Sequence, residues 1–166
     1  MNIIVQTARL IVREFLPKES NLLIELYRDK MVTKYEVQLS VEETIEKFET
    51  ILLDYKNALG LARWGIFNRS DNSFVGMCKL KPADSDLSKI EFGILLMHQY
   101  WGIGLAKEVT KALIDYGFNQ RGLIEICACV HPENNASHKL LQNVGFVKDG
   151  NVFWNESELP FYRKVK

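Results

Sequence analysis

Long apolar runs are missing from this chain of 166 residues. No stretch approaches the ~20 apolar residues that a membrane-spanning helix needs. Residues 1–13 lack the basic start, apolar centre and small-residue cleavage site of a secretory leader. A soluble, cytoplasmic protein is therefore expected. Surplus charge is missing as well: 21 Lys and Arg stand against 21 Asp and Glu. With no net positive field to meet a polyanion, nucleic acid is not expected as the main partner. Cysteine is scarce, and Cys78, Cys127 and Cys129 show no framework spacing. That argues for reduced thiols in a reducing compartment, and all three read as core residues. Cys127 and Cys129 point the same way on one strand, which is poor geometry for a disulfide. His98, His131 and His138 are too scattered for a zinc pattern and no Cys-x-x-Cys accompanies them, so no metal is expected. Repeats, low-complexity segments and long linkers are absent too. With 47% hydrophobic residues to fill a core, 1–166 reads as one domain, a monomer or homodimer.

What is present is a succession of short β runs and amphipathic helices. Residues 10–15 form a β-rich run ending at Pro17, and 18–29 look helical. A second helix over 41–59 opens with Glu42 and Glu43, where the helix dipole favours acids, and Ser40 is its N-cap. Three β runs at 61–67, 73–81 and 89–96 are separated by segments dense in turn formers, an antiparallel meander in outline. Ala106, Val109, Ala112, Leu113 and Tyr116 then recur at helical spacing over 103–119. A buried strand at 122–130 follows, then a helix with Ala136, Leu140, Leu141 and Val144 as its apolar stripe, closed by Gly145. Final β runs lie at 146–148 and 160–165. Strand, helix and strand from 89 to 130 make one right-handed crossover between parallel neighbours, so the fold class is mixed α/β.

The chemistry concentrates where the strand ending near Leu96 meets the helix starting near Ile103. There stands Gln99-Tyr100-Trp101-Gly102-Ile103-Gly104-Leu105-Ala106. A helix N-terminus offers unpaired N–H donors and partial positive charge, and glycine lets an anion approach the backbone. The spacing alone admits two readings, an anion cradle or a tight strand-to-helix turn. A dinucleotide fingerprint would need glycine where Lys107 stands, and the Gly-Lys-Ser/Thr of a nucleotide P-loop is absent.

Gln99-x-x-Gly102-x-Gly104 resembles the acetyl-CoA signature of the GNAT superfamily of N-acetyltransferases, Gln/Arg-x-x-Gly-x-Gly/Ala, at the joint where that family carries it. Thr7-Ala-Arg-Leu-Ile-Val-Arg13 resembles the opening strand of the subgroup that acetylates ribosomal-protein N-termini. Pro132-Glu-Asn134-Asn-Ala-Ser137 followed by Gly145-Phe146 resembles its later block. The resemblance implies a GNAT-like sheet, mainly antiparallel, with a parallel pair splayed at the cofactor site and helices on both faces.

It also implies a site. Backbone N–H groups of Gly102, Ile103, Gly104, Leu105 and Ala106 would hold the pyrophosphate of acetyl-CoA, with Gln99 opening the loop. Ile94, Leu95 and Leu96 would pair with the pantetheine arm. Asn134 would contact the pantetheine region or simply cap a helix. Ser137 would help the thiolate leave, or only sit in a first helical turn. Glu91 would act as base or hold the water that does, and attract an ammonium substrate; the alternative is a strand glutamate in solvent or a salt bridge. Lys107, His138 and Lys139 are candidates for the 3′-phosphate, with solvated surface charge as the plainer account. The implied reaction is acetylation of a primary amine, either a protein N-terminus or a small amine such as an antibiotic or metabolite. Acetyl-CoA binding without turnover is the competing reading. Acceptor choice is expected to lie in residues 18–58 and in a late loop near 151–158.

Overall fold

The computed structural model describes residues 2–57, 59–84, 86–154 and 157–166. In chain order the elements are β1 (Ile3–Gln6), β2 (Leu10–Arg13), α1 (Ser20–Arg28), α2 (Val41–Asp54), β3 (Ala62–Asn68), β4 (Phe74–Pro82), β5 (Ile90–Leu96), α3 (Leu105–Asp115), β6 (Glu125–Cys129), α4 (Asn135–Asn143), β7 (Val147–Trp154) and β8 (Ser157–Val165). Among the described residues these strands make one sheet of eight, ordered β1-β2-β3-β4-β5-β6-β8-β7. Every neighbouring pair is antiparallel except β5 with β6.

The period-2 alternation of the strands sorts their side chains onto two cores, one on each face of the sheet. Ile66, Cys78, Leu80 and Leu96 pack with Leu105, Val109 and Leu113 of α3. Their sequence neighbours Phe67, Met77 and Leu95 turn to the other face, against Leu23 and Leu26 of α1 and Phe48 and Ile51 of α2. Trp64 is the largest of the fully buried side chains. Ser40 caps α2 through a capping box: its hydroxyl accepts from Glu43 N–H and the Glu43 carboxylate accepts from Ser40 N–H. Such caps contribute ~1 kcal/mol.

Several boundaries differ from the sequence reading. α2 ends at Asp54, short of residue 59. α3 proper ends at Asp115 and is continued by a π-type turn, Tyr116–Gln120. The strand expected over 122–130 is confined to Glu125–Cys129. β1 is short and only half-buried, too weak a pattern to read as a strand. The late segment near 151–158 belongs to a β-hairpin and not to a loop, with Asn155 and Glu156 outside the described residues. Gly150, at φ 81°, sits where the β7–β8 register shifts between Lys148 and Asn151, so a bulge continues the strand.

Candidate active site

β5 and β6 run parallel but are paired only at Glu91↔Cys127. Beyond that pair the strands diverge, which leaves the β6-facing edge of residues 94–96 without a strand partner among the described residues. Its other edge is fully paired, from Ile90↔Pro82 to Leu96↔Gly76. The divergence opens a cleft of about 620 Å³ lined by Glu91, Ile94, Leu95, Asn134 and Ser137. Five of the residues expected to act together thus face one space.

Gln99 and the glycine loop continue from the end of β5 through a 3₁₀ turn, His98–Tyr100. Gly102 and Gly104 adopt φ of 77° and 83°, a left-handed conformation that L side chains rarely take. Gly104 is the N-cap of α3, so the first N–H groups of that helix are open at the surface. An added Cβ at Gly102 would meet nothing within 4 Å, and one at Gly104 only Arg9 Nη2 at 3.6 Å. The loop therefore presents bare backbone to solvent, the surface an anion needs. Leu105 is buried beneath it, Ala106 half-buried, and Ile103 exposed.

Four hydrogen bonds hold the loop in place. Trp101 Nε1 donates to the Leu96 carbonyl at 2.8 Å, folding the exposed indole back onto the strand end. Arg9 Nη1 donates to the Ile103 carbonyl at 2.9 Å, and Arg9 Nε donates to Glu108 Oε2 at 2.7 Å. The Arg9 backbone N–H reaches Glu108 Oε1 at 3.0 Å. The β1–β2 turn thus clamps the first turn of α3 through one arginine.

On the β6 side Asn134 is the N-cap of α4, its Oδ1 accepting from Ser137 N–H at 3.1 Å. Capping uses only that oxygen, so the Nδ2 donor is left for another partner. His138 belongs to the scaffold: Nδ1 lies 2.7 Å from Tyr162 Oη, and Nε2 lies 3.2 Å from the carbonyls of His131 and Pro132. Both ring nitrogens are engaged within the fold, so neither is free for a 3′-phosphate. Lys107 and Lys139 are exposed.

Glu91 takes the salt bridge that sequence reasoning had named as the alternative. Its Oε2 accepts from Lys79 Nζ at 2.6 Å. Lys79 stands opposite Gly93 in the register, and a Cβ there would lie 2.7 Å from Lys79 Cε. The missing side chain is what lets the lysine stem lie across β5 toward Glu91.

Residues that sequence reasoning did not select line the other wall. Tyr35 and Glu36 come from the segment between α1 and α2, Lys47 from α2 and Arg63 from β3. Burial pushes the Glu36 carboxyl up, against the pull of Lys79 and Lys47, although its side chain keeps solvent access from the open side of the cleft. Lys79 and Glu91 were legible as a diagonal pair on adjacent strands. Glu36 lies in a stretch without periodicity and carried no signal. Cys78 and Cys127 are buried as expected, but Cys129 is half-buried and faces the cleft. Burial pushes its thiol up to about 11.

A family model described as "Acetyltransferase (GNAT) domain" matches residues 9–147. The uncharacterized N-acetyltransferase YoaA of Bacillus subtilis is 31% identical over 89% of this chain and 84% of its own. Two solved structures share the fold. Ribosomal-protein-S5-alanine acetyltransferase from Vibrio fischeri superposes with a TM-score of 0.75 at 18% identity, over 97% of this chain and 95% of that one. Spermidine N-acetyltransferase from Vibrio cholerae, in complex with CoA and spermine, gives 0.77 at 20% identity over 94% and 95%. The open strand edge, the bare glycine loop at a helix start and the match across most of the sequence converge, and the chain belongs to the GNAT acetyltransferase family as an enzyme that transfers acetyl groups from acetyl-CoA.

Proposed function

We propose that the chain acetylates a primary amine by direct attack within a ternary complex, in the cleft between the diverging ends of β5 and β6. One observation carries this reading: a single cleft is lined at once by the open edge of β5, by Asn134 and Ser137 at the start of α4, and by Glu91. Outside the lining of that cleft, past the end of β5, the backbone from Gly102 to Ala106 takes the pyrophosphate, with Gln99 at the entry to the loop. Ile94, Leu95 and Leu96 run beside the pantetheine, and Asn134 Nδ2 reaches the same arm.

The chemistry balances as follows. A neutral amine attacks the thioester carbonyl carbon, a C–N bond forms, and the C–S bond breaks. The departing thiolate takes a proton from the Ser137 hydroxyl, which recovers one from solvent. The nitrogen loses its proton to Glu91 or to a water that Glu91 holds. Only the neutral amine is nucleophilic, and α-amines, with pKa near ~8, need less help than lysine side chains near ~10.4. A protein N-terminal α-amine and a small-molecule amine both meet that requirement. A backbone N–H of β5 around Leu95 stabilises the oxyanion. Transfer through a covalent acyl-enzyme is disfavoured because burial pushes up both thiols that line the cleft, Cys78 and Cys129, the latter to about 11. We read the protein as cytoplasmic; no helix among the described residues is long and apolar enough to cross a membrane.

The test is CoA-thiol release from acetyl-CoA against a panel of amines, with both substrates varied. Double-reciprocal lines that intersect are expected from a ternary complex, whereas parallel lines would overturn direct attack. Acetyl-CoA at about 100 times its dissociation constant should stabilise the fold by roughly 2.7 kcal/mol. Gly104→Glu should abolish that shift by bulk and repulsion.

A further inference from the structure

The acceptor wall of the cleft is charged, and its charges are unevenly spent. Lys34, Lys47, Arg63 and Lys79 share it with Glu36, Asp84 and Glu91. Lys79 is taken by Glu91 at 2.6 Å, and Asp84 by Lys81 at 2.8 Å and Arg63 at 3.6 Å. Arg63 also lies 3.6 Å from Asp54. Lys34, Glu36 and Lys47 remain, and among the described residues none has an ion-pair partner within 4.0 Å; Lys34 is exposed, with its ammonium 4.8 Å from the Tyr35 ring centroid. Lys47 is half-buried with its ammonium 5.3 Å from the Tyr27 ring centroid.

A half-buried ammonium and a carboxylate at the open side of the same cleft, each without an ion pair of its own, are matched by a ligand that brings the two countercharges. Burial, with Arg63 adding to it, pushes the Lys47 ammonium down, so an arriving anion relieves that cost. Resting on the acetyl-transfer reading above, we propose that the acceptor is an amine bearing its own carboxylate, with Glu36 receiving the ammonium and Lys47 the carboxylate. A polyamine fits poorly. Two of the wall's three carboxylates are already neutralised by lysine or arginine, and a second ammonium would face Lys47 and Arg63.

Free amino acids and peptides that begin with Asp or Glu both present this chemistry, and the experiment separates them. CoA release by the full chain is measured with free amino acids against their carboxamides, with tripeptides starting in Asp or Glu against Asn or Gln, and with spermidine. The carboxamide keeps the shape and removes the charge. Its less basic amine favours it chemically, so a preference for the acid has to come from the protein.

At least one acid should exceed its amide by about tenfold or more in kcat/KM, the effect of one charged hydrogen bond. Whether that acid is free or peptide-borne identifies the source. Lys47→Met should collapse the acid-to-amide ratio toward one, whereas Lys47→Arg should keep it, and a retained ratio in Lys47→Met would overturn the assignment. Glu36→Gln should raise KM for acids and amides alike. Amides that match acids, or spermidine as the best acceptor, would overturn the proposal and leave acetyl transfer standing. Failure of every amine to release CoA would sink both.

Discussion

Tyr35 stacks on His131, ring centroids 4.8 Å apart and planes at 28°. The tyrosine comes from the segment between α1 and α2 and the histidine from just beyond β6, so the contact joins the acceptor wall of the cleft to the wall that carries Asn134 and Ser137. Such pairs contribute ~0.5–1.5 kcal/mol beyond buried area. Tyr35→Ala should therefore raise KM for the amine by up to roughly tenfold while shifting acetyl-CoA affinity much less. Steady-state kinetics with each substrate varied will show it, and equal losses for both substrates would mean that the stack supports the fold in general.

Ser137 can be altered without touching the helix it starts. Its backbone N–H, and not its hydroxyl, completes the Asn134 cap. Ser137→Ala should lower kcat by at least ~10²-fold, as for loss of a proton donor, with acetyl-CoA affinity little changed. A fall of less than about threefold would make the hydroxyl a bystander.

Glu91→Gln separates proton transfer from charge. If Glu91 or its water accepts the proton, the amide lowers kcat while KM for the amine changes little. A carboxylate that only attracts the ammonium would, once neutralised, raise KM for the amine at constant kcat. Because the substitution also strands the Lys79 ammonium, the double variant Glu91→Gln/Lys79→Met is the control that isolates the carboxylate.

Stability should depend on Arg13, which is 3% exposed on β2. Its guanidinium meets both carboxylate oxygens of Glu19 at 2.9 and 2.8 Å and lies 3.4 Å from the Phe67 ring centroid. Burial raises the Glu19 carboxyl, but the Arg13 and Leu16 hydrogen bonds outweigh it and hold the group below its ordinary value. The pair's stabilisation is therefore present above the unfolded carboxylate range and lost as pH falls through the lower folded value. Glu19→Ala should cost roughly 2–3 kcal/mol at neutral pH, less than a fully buried pair because Glu19 touches water. Thermal melts from pH 7 to pH 3 should show the variant's deficit shrinking with acid, and a constant deficit would refute the linkage.

The elements around the expected cofactor loop were legible because they obey local rules. Ser40, Asn134 and the two loop glycines announce helix starts, and turn-dense segments bracket β3, β4 and β5 to within a residue or two. The acceptor half depends on distant residues meeting. Lys47 and Arg63 fall in regular elements whose patterns say only which face they occupy. Glu36 sits in a segment anchored by the buried Val32 and Thr33, and no periodicity reports where that segment docks.

Gly76 lies opposite Leu96 on β4, beside the register shift between Ile66 and Phe67 in its pairing with β3. A Cβ on it would come within 2.2 Å of the Leu95 carbonyl oxygen. The strand beside which the thioester is to lie is therefore seated against a neighbour's main chain, with no side chain between. Variation is tolerated unequally as a result. On the proposed reading Ile94 would offer backbone to the ligand and leave latitude in its side chain, while Gly76, whose Cβ would strike the Leu95 carbonyl, leaves none. If the two proposals hold, a lineage could revise what it acetylates by changing Glu36 or Lys47, but the place where the acetyl group would rest is written in a residue that has nothing to change.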